Sequence, residues 1–207
     1  KYPYFTNADV SFNSQIEDLI KTKMEDHRKA SQDYWQARYD TKEKGDNFPK
    51  VPAKEEDKLS FFSDFTIVQS NPFYISFVLK YGGFSGGAHG YEINKSFAYD
   101  VQNQKAIELK DLFPNDTEYL TYLSNASRKY LDAQFATVSE EDKKNSDPEA
   151  IASYIKGMTS AIEDGTKPIN DNFSVFTFTP DKIKIYFAQY QVGPYSIGMP
   201  EVEINRE

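Results

Sequence analysis

The chain contains no cysteine. That excludes a disulfide framework, a thiolate-bound zinc site and a cysteine nucleophile, while leaving the compartment open. Histidine is nearly as scarce. His27 and His89 are the only two, too far apart in sequence for a His-x-x-x-His pair, and the carboxylates follow no calcium-loop pattern. We therefore expect no metal and no cofactor. A run of about twenty apolar residues, the length that spans a bilayer, is missing too. Basic residues are the minority, 24 Lys and Arg against 32 Asp and Glu, for a formal net charge of −8. Nucleic acid and anionic lipid demand the opposite balance, so neither is expected as a partner. An acidic surface suits a basic partner, or serves solubility alone. The chain starts at Lys1 with neither a Met nor a leader, so a processed or trimmed fragment is expected, with any anchor upstream.

Aromatics are what the chain has in quantity: 16 Phe and 15 Tyr. Each buries a large area, so a core is within reach of a chain that is only 39% apolar. Tyr also works half-buried at interaction surfaces. Four Asn-x-Ser/Thr triplets occur, at Asn94, Asn115, Asn125 and Asn172. They carry meaning only in a glycosylating host.

Periodicity organises the rest. KYPYF at the start reads as a short strand. Ser14 and Glu17 have capping-box spacing, and behind them Ile16, Leu19, Ile20, Met24, His27, Tyr34, Trp35 and Arg38 form the apolar stripe of a long helix that frays near Gly45. The two prolines of DNFPKVPAK make a connector. LSFFSDFTIVQS, FYISFVLKYGG and YEINKSFAYDV then alternate as strands with connections too short for parallel crossovers, so an antiparallel meander is expected. A turn at Gln102 and Asn103 leads into KAIELKDLF.

Two helices follow. Asn115 and Glu118 cap the first, whose stripe is Tyr119, Leu120, Leu123, Ala126, Tyr130 and Leu131. Asp147 and Pro148 open the second, with Ile151, Tyr154, Ile155, Met158 and Ile162 as its stripe and Gly165 as its stop. VSEEDKKNSD between them is a solvated charge run. SVFTFT-PD-KIKIYFAQY is a hairpin, and a last short strand closes the chain after VGPYSIGMP. Strand runs and helix runs are segregated. The fold class is α+β: antiparallel meander sheets, a long N-terminal helix and two central helices, in two closely packed lobes, 1–113 and 114–207.

One stretch invites chemistry. YGGFSGGAHGYEINKSFAYD contains GFSGG, the Gly-x-Ser-x-Gly pattern of a serine hydrolase. A nucleophile elbow needs a helix after the serine, and a strand pattern follows Ser85 instead. The only histidine beyond it, His89, lies in the same loop, and no phosphate-cradling Gly-Lys-Ser/Thr is present. His27, on the helix stripe, is expected to be a hydrogen-bonded core residue, and His89 to anchor loop backbone. Conformation explains the glycines at 82, 83, 86, 87 and 90: they permit positive φ and close backbone approach.

FSGGAHGYEINKSFAYDVQNQKAIELKDLF resembles the (S/T)GGAHG…YD…L.DLF signature of a two-part extracytoplasmic module. That module forms the sensor portion of the RsiV anti-sigma factor and the non-catalytic N-terminal region of the peptidoglycan deacetylase PdaC. Its second half is similar to DNFSVFTFTPDKIKIYFAQYQVGPYSIGMPEVEI, where Tyr190, Gly193, Pro194, Tyr195 and Gly198 match. The resemblance implies an α+β fold outside the cytoplasmic membrane, cell-envelope bound or secreted, and a recognition role. The implied partners are a basic protein such as lysozyme, or peptidoglycan fragments. Deacetylation itself would need a metal-binding Asp/His set on a separate domain. The expected binding residues lie on two loops: Ser85, Gly86, Gly87, His89 and Tyr91 on the first, and Tyr190, Pro194 and Tyr195 on the second. The alternative is an accessory or catalytic part of a peptidoglycan-modifying hydrolase or deacetylase, using Ser85 or His89.

Overall fold

The computed structural model describes residues 1–42, 59–85, 89–114 and 116–206. The proposed connector, Gly45, Gly86, Gly87 and the Asn115 cap lie outside them. The fold is α+β. Helix α1 (Val10–Lys42) leads to strands β1 (Phe61–Ser70), β2 (Tyr74–Gly83), β3 (Tyr91–Asp100) and the two-residue β4 (Lys105–Ala106). Helices α2 (Tyr119–Phe135), α3 (Glu140–Asn145) and α4 (Pro148–Gly165) follow, then strands β5 (Phe176–Phe178), β6 (Lys182–Tyr186) and β7 (Glu201–Asn205). The first four strands form one sheet in the order β1-β2-β3-β4, and the last three form a second in the order β5-β6-β7. Successive strands are neighbours in both sheets, and β3–β4, β5–β6 and β6–β7 pair antiparallel. The chain divides into two compact units, Lys1–Thr66 with Leu79–Ile93, and Ile67–Val78 with Asn94–Glu207.

In the first unit, α1 buries Phe12, Ile16, Ile20 and His27, a stripe four or seven residues apart that stays on one helix face. Met24 shares that spacing but stays 53% exposed. The helix begins earlier than the capping box predicts. Asp9 precedes its first residue and accepts from the Phe12 amide at 2.6 Å, filling the N-cap role. Glu17 is turned to other uses, accepting from the Tyr2 hydroxyl at 3.0 Å and pairing with Lys21. KYPYF is not a strand. The buried Asn13 amide accepts from the Phe5 amide at 2.8 Å and donates to the Phe5 carbonyl at 2.9 Å, so a side chain takes the bonds a strand neighbour would have made.

β2 is buried along nearly its whole length, whereas β1 at the sheet edge alternates between half-buried and exposed. Glycine is required in β2 for close approach. A Cβ on Gly83 would lie 2.2 Å from the Ser60 carbonyl oxygen and 2.8 Å from the His27 ring.

The second unit holds the larger core, in which Leu123 and Leu131 of α2, Ile162 of α4, Phe173, Ile183, Ile185 and Phe187 are buried. Its strand residues join it through two serines: Ser96 Oγ accepts from the Phe176 amide and Ser76 Oγ from the Phe178 amide, both at 2.9 Å. Asp147 caps α4, accepting from the Glu149 amide, and Pro148 fills the first helical position, both as predicted. Two stripe residues prove peripheral, Tyr130 at 47% and Tyr154 at 46% exposed. Ser124 and Ser127 take the buried positions on α2. The charge run between the helices contains α3.

Candidate functional site

The loop from Ala188 to Pro200 is built to hold two tyrosines. Tyr190 and Tyr195 place their rings 5.8 Å apart, tilted by 41°. Tyr190 has φ of 65°, the left-handed region that a bulky L-residue rarely adopts, and its side chain is 58% exposed. Such a conformation costs about 1–3 kcal/mol and persists only where the surroundings impose it.

Gln191 imposes it. Its Oε1 accepts from the Ala188 amide at 2.9 Å, while Nε2 donates to the Gly165 carbonyl at 3.1 Å and the Asn172 carbonyl at 3.0 Å. One amide thus ties the loop to itself, to the end of α4 and to the short turn Asn170–Phe173. Beside it Val192 is 1% exposed and anchors the loop in the core. Gly165 lets the loop lie against α4, because a Cβ there would meet the Gln191 carbonyl oxygen at 2.0 Å. Pro194 is exposed and caps the turn Tyr195–Ile197, which closes through the Ile197 amide to the Pro194 carbonyl at 3.1 Å. Of the residues expected on this loop, the structure brings Tyr190 and Tyr195 together and sets Pro194 at the base of the second. Sequence reasoning missed Gln191, and rightly had no signal for it, since nothing local distinguishes a clamping glutamine from a solvated one.

Of the residues expected on the glycine loop, the described ones, Ser85, His89 and Tyr91, lie in the first unit. Ser85 is half-buried and His89 exposed, with His89 Nδ1 2.8 Å from the Gly90 carbonyl oxygen. Tyr91 is half-buried, its hydroxyl 3.1 Å from His27 Nδ1, and burial pushes its phenol above the ordinary value. His27 is a core residue, 5% exposed and packed against the Phe61 and Tyr91 rings, and its Nε2 is buried without a hydrogen-bond partner. Among the described residues, no group of three or more His, Cys, Asp or Glu could hold a metal ion. Nor, among them, is any helix long and apolar enough to cross a membrane.

These features define an α+β module carrying a braced aromatic loop. Residues 1–92 match the family described as deacetylase PdaC, and residues 110–207 match the family described as protein of unknown function DUF3298. The chain is a PdaC- and DUF3298-like module. It is 30% identical, over 143 residues and 69% of its length, to the peptidoglycan-N-acetylmuramic acid deacetylase PdaC of Bacillus subtilis (strain 168). It spans 27% of that protein's length. Its fold is similar to the crystal structure of a DUF3298 family member from Bacteroides fragilis, with TM-score 0.58 and 20% identity over 91% of this chain and 66% of that one. A DUF3298 family protein from Pseudomonas aeruginosa PAO1 has TM-score 0.48 and 18% identity over 71% of this chain and 58% of its own.

Proposed function

We propose that this chain is a non-enzymatic recognition module of the bacterial cell envelope, acting outside the cytoplasmic membrane and binding wall glycan through the loop that carries Tyr190 and Tyr195. The observation that carries this reading is Tyr190 itself. An exposed aromatic residue is held in a costly backbone conformation by a three-bonded clamp, and burying 42% of its surface is a poor return for that strain. Recognition gives the strain a purpose, because a pre-ordered ring loses little freedom on binding. Two tilted tyrosines offer apolar faces for the C–H faces of sugar rings and hydroxyls for their hydroxyl groups. The relative from Bacillus subtilis bears the name of an enzyme acting on peptidoglycan, which supports the same ligand class here.

A second reading, a basic protein partner such as lysozyme, is favoured by the net charge of −8. Calorimetric titration with peptidoglycan fragments and with lysozyme separates the two. Fragment binding should be lost in Tyr195→Ala and in Tyr190→Gly. The glycine variant is informative because it relieves the positive φ and should leave the fold at least as stable. If Tyr190→Gly binds fragments as tightly as the parent, the loop is not the binding element. Hydrolysis of acetylated-sugar or ester probes, abolished by Ser85→Ala or His89→Ala, would establish the enzymatic alternative instead.

A further inference from the structure

A second feature of the same unit carries a sharper claim. An open cleft of about 420 Å³ lies among the end of β3, the turn Leu109–Leu112 and the turn Asn170–Phe173, within the roughly 300–1,000 Å³ range of small-molecule sites. Leu109, Phe173 and Phe176 are buried residues that line it and supply an apolar floor. Polar groups of both kinds surround that floor. Tyr119 donates to Asn170 Oδ1 at 2.9 Å, which leaves the Asn170 amide nitrogen to donate outward. Ser96 Oγ accepts from the Phe176 amide and keeps a proton to give. Asp171 is exposed, and its carboxylate can accept from a ligand.

The charge of this rim decides among ligands. Glu108 is already paired with Lys110 at 2.7 Å, so among the described residues Asp171 is left as the one lining carboxylate with no ion-pair partner, and a cationic ligand would also meet Lys110. A neutral group with an N–H, a carbonyl and a methyl suits the lining better. The acceptor is Asp171, the donors are Asn170 and Ser96, and the floor is apolar.

We propose that this cleft is a subsite for a 2-acetamido sugar, taking up the acetamide group. The assignment rests on the wall-glycan reading above and deepens it. Gln191 supplies the link. It donates to the Asn172 carbonyl, in the middle of the turn whose Asn170, Asp171 and Phe173 line the cleft, and the same side chain braces the tyrosine loop. One turn therefore carries the acetamide pocket and supports the aromatic pair.

The test is an amide-resolved NMR titration of the whole chain with the β-1,4 tetramer of N-acetylglucosamine, beside the deacetylated tetramer at neutral pH. The acetylated tetramer should shift the amides of Leu109, Asn170, Asp171 and Ser174. The deacetylated one should bind at least about tenfold more weakly, as expected when a site's polar groups lose their partners. Asp171→Ala should cost about tenfold in affinity, and Tyr119→Phe should cost less; thermal melts confirm that both variants fold. If the acetylated tetramer binds with shifts confined to residues 188–198 and Asp171→Ala has no effect, the subsite is refuted while the glycan reading stands. Equal or tighter binding of the deacetylated tetramer refutes it in favour of a cation site. If neither tetramer nor any peptidoglycan fragment binds, both proposals fall.

Discussion

A methyl group at position 165 would sit 2.0 Å from the Gln191 carbonyl oxygen and 2.8 Å from Val192. Backbone cannot yield there without moving the whole tyrosine loop, so Gly165→Ala should destabilise the second unit by about 2 kcal/mol or more, read by urea unfolding. An alanine variant as stable as the parent would show the loop to be loosely held. The reason this glycine is needed differs from the sequence expectation. It stops α4 because another chain segment lies against it, with no positive φ involved.

Asp132 illustrates a cost of the opposite kind. Its Oδ1 is buried without a hydrogen-bond partner. Burial pushes its carboxyl above the ordinary range; Arg128 pulls it back and Glu163 adds to the rise. A carboxyl raised in the folded state holds its proton more tightly there than in the unfolded chain. Its penalty is therefore absent below the unfolded value of about 3.9 and grows as pH rises through the window up to the folded value. Asp132→Asn should stabilise the protein by on the order of 1 kcal/mol at pH 7 and by nothing at pH 3. Denaturation midpoints at the two pH values check this, and a gain that persists unchanged at pH 3 would mean that ionisation is not the cause.

At the scale of elements, local signals were legible wherever the chain satisfies its own backbone. Asp147 and Pro148 open α4 because a side-chain acceptor and a fixed φ suffice, whatever packs nearby. Asp147→Ala should cost about 1 kcal/mol, visible in a thermal melt, if this cap is the ordinary kind. The strands were legible too, since aromatic and β-branched alternation with turns every ten residues leaves few other solutions. The failures share a cause. Ser14 and Glu17 have ideal spacing, yet Asp9 starts α1 earlier, because Asn13 reaches back to Phe5 and fixes the preceding segment against the helix. Tyr130 and Met24 fit their stripes by spacing and still lie outside the core, because spacing marks a helix face and the neighbours decide how far along that face burial extends.

Considered as a whole molecule, the chain has a net charge of −8 and exposes tyrosines such as Tyr4, Tyr130, Tyr154 and Tyr190. The two binding readings respond differently to salt. Affinity for an uncharged glycan should hold within about twofold between roughly 50 and 300 mM salt, whereas affinity for a basic protein should fall steeply as screening shortens to a few ångströms. Titrations at both ends of that range distinguish them, and a steep fall for glycan fragments would count against a neutral subsite.

The sequence alone determined the α+β class, the acidic balance, and the three long helices with the strand runs that follow them. Those properties follow from composition, from hydrophobic period and from turn chemistry, each acting over a few neighbouring residues. Only the tertiary structure decided that Tyr190 is strained and braced, that Gln191 joins the loop to the turn at 170–173, and that Ser96, Leu109, Tyr119 and Asp171 line one cleft. Those residues come from segments far apart along the chain, and no local pattern records which of them packing will bring together.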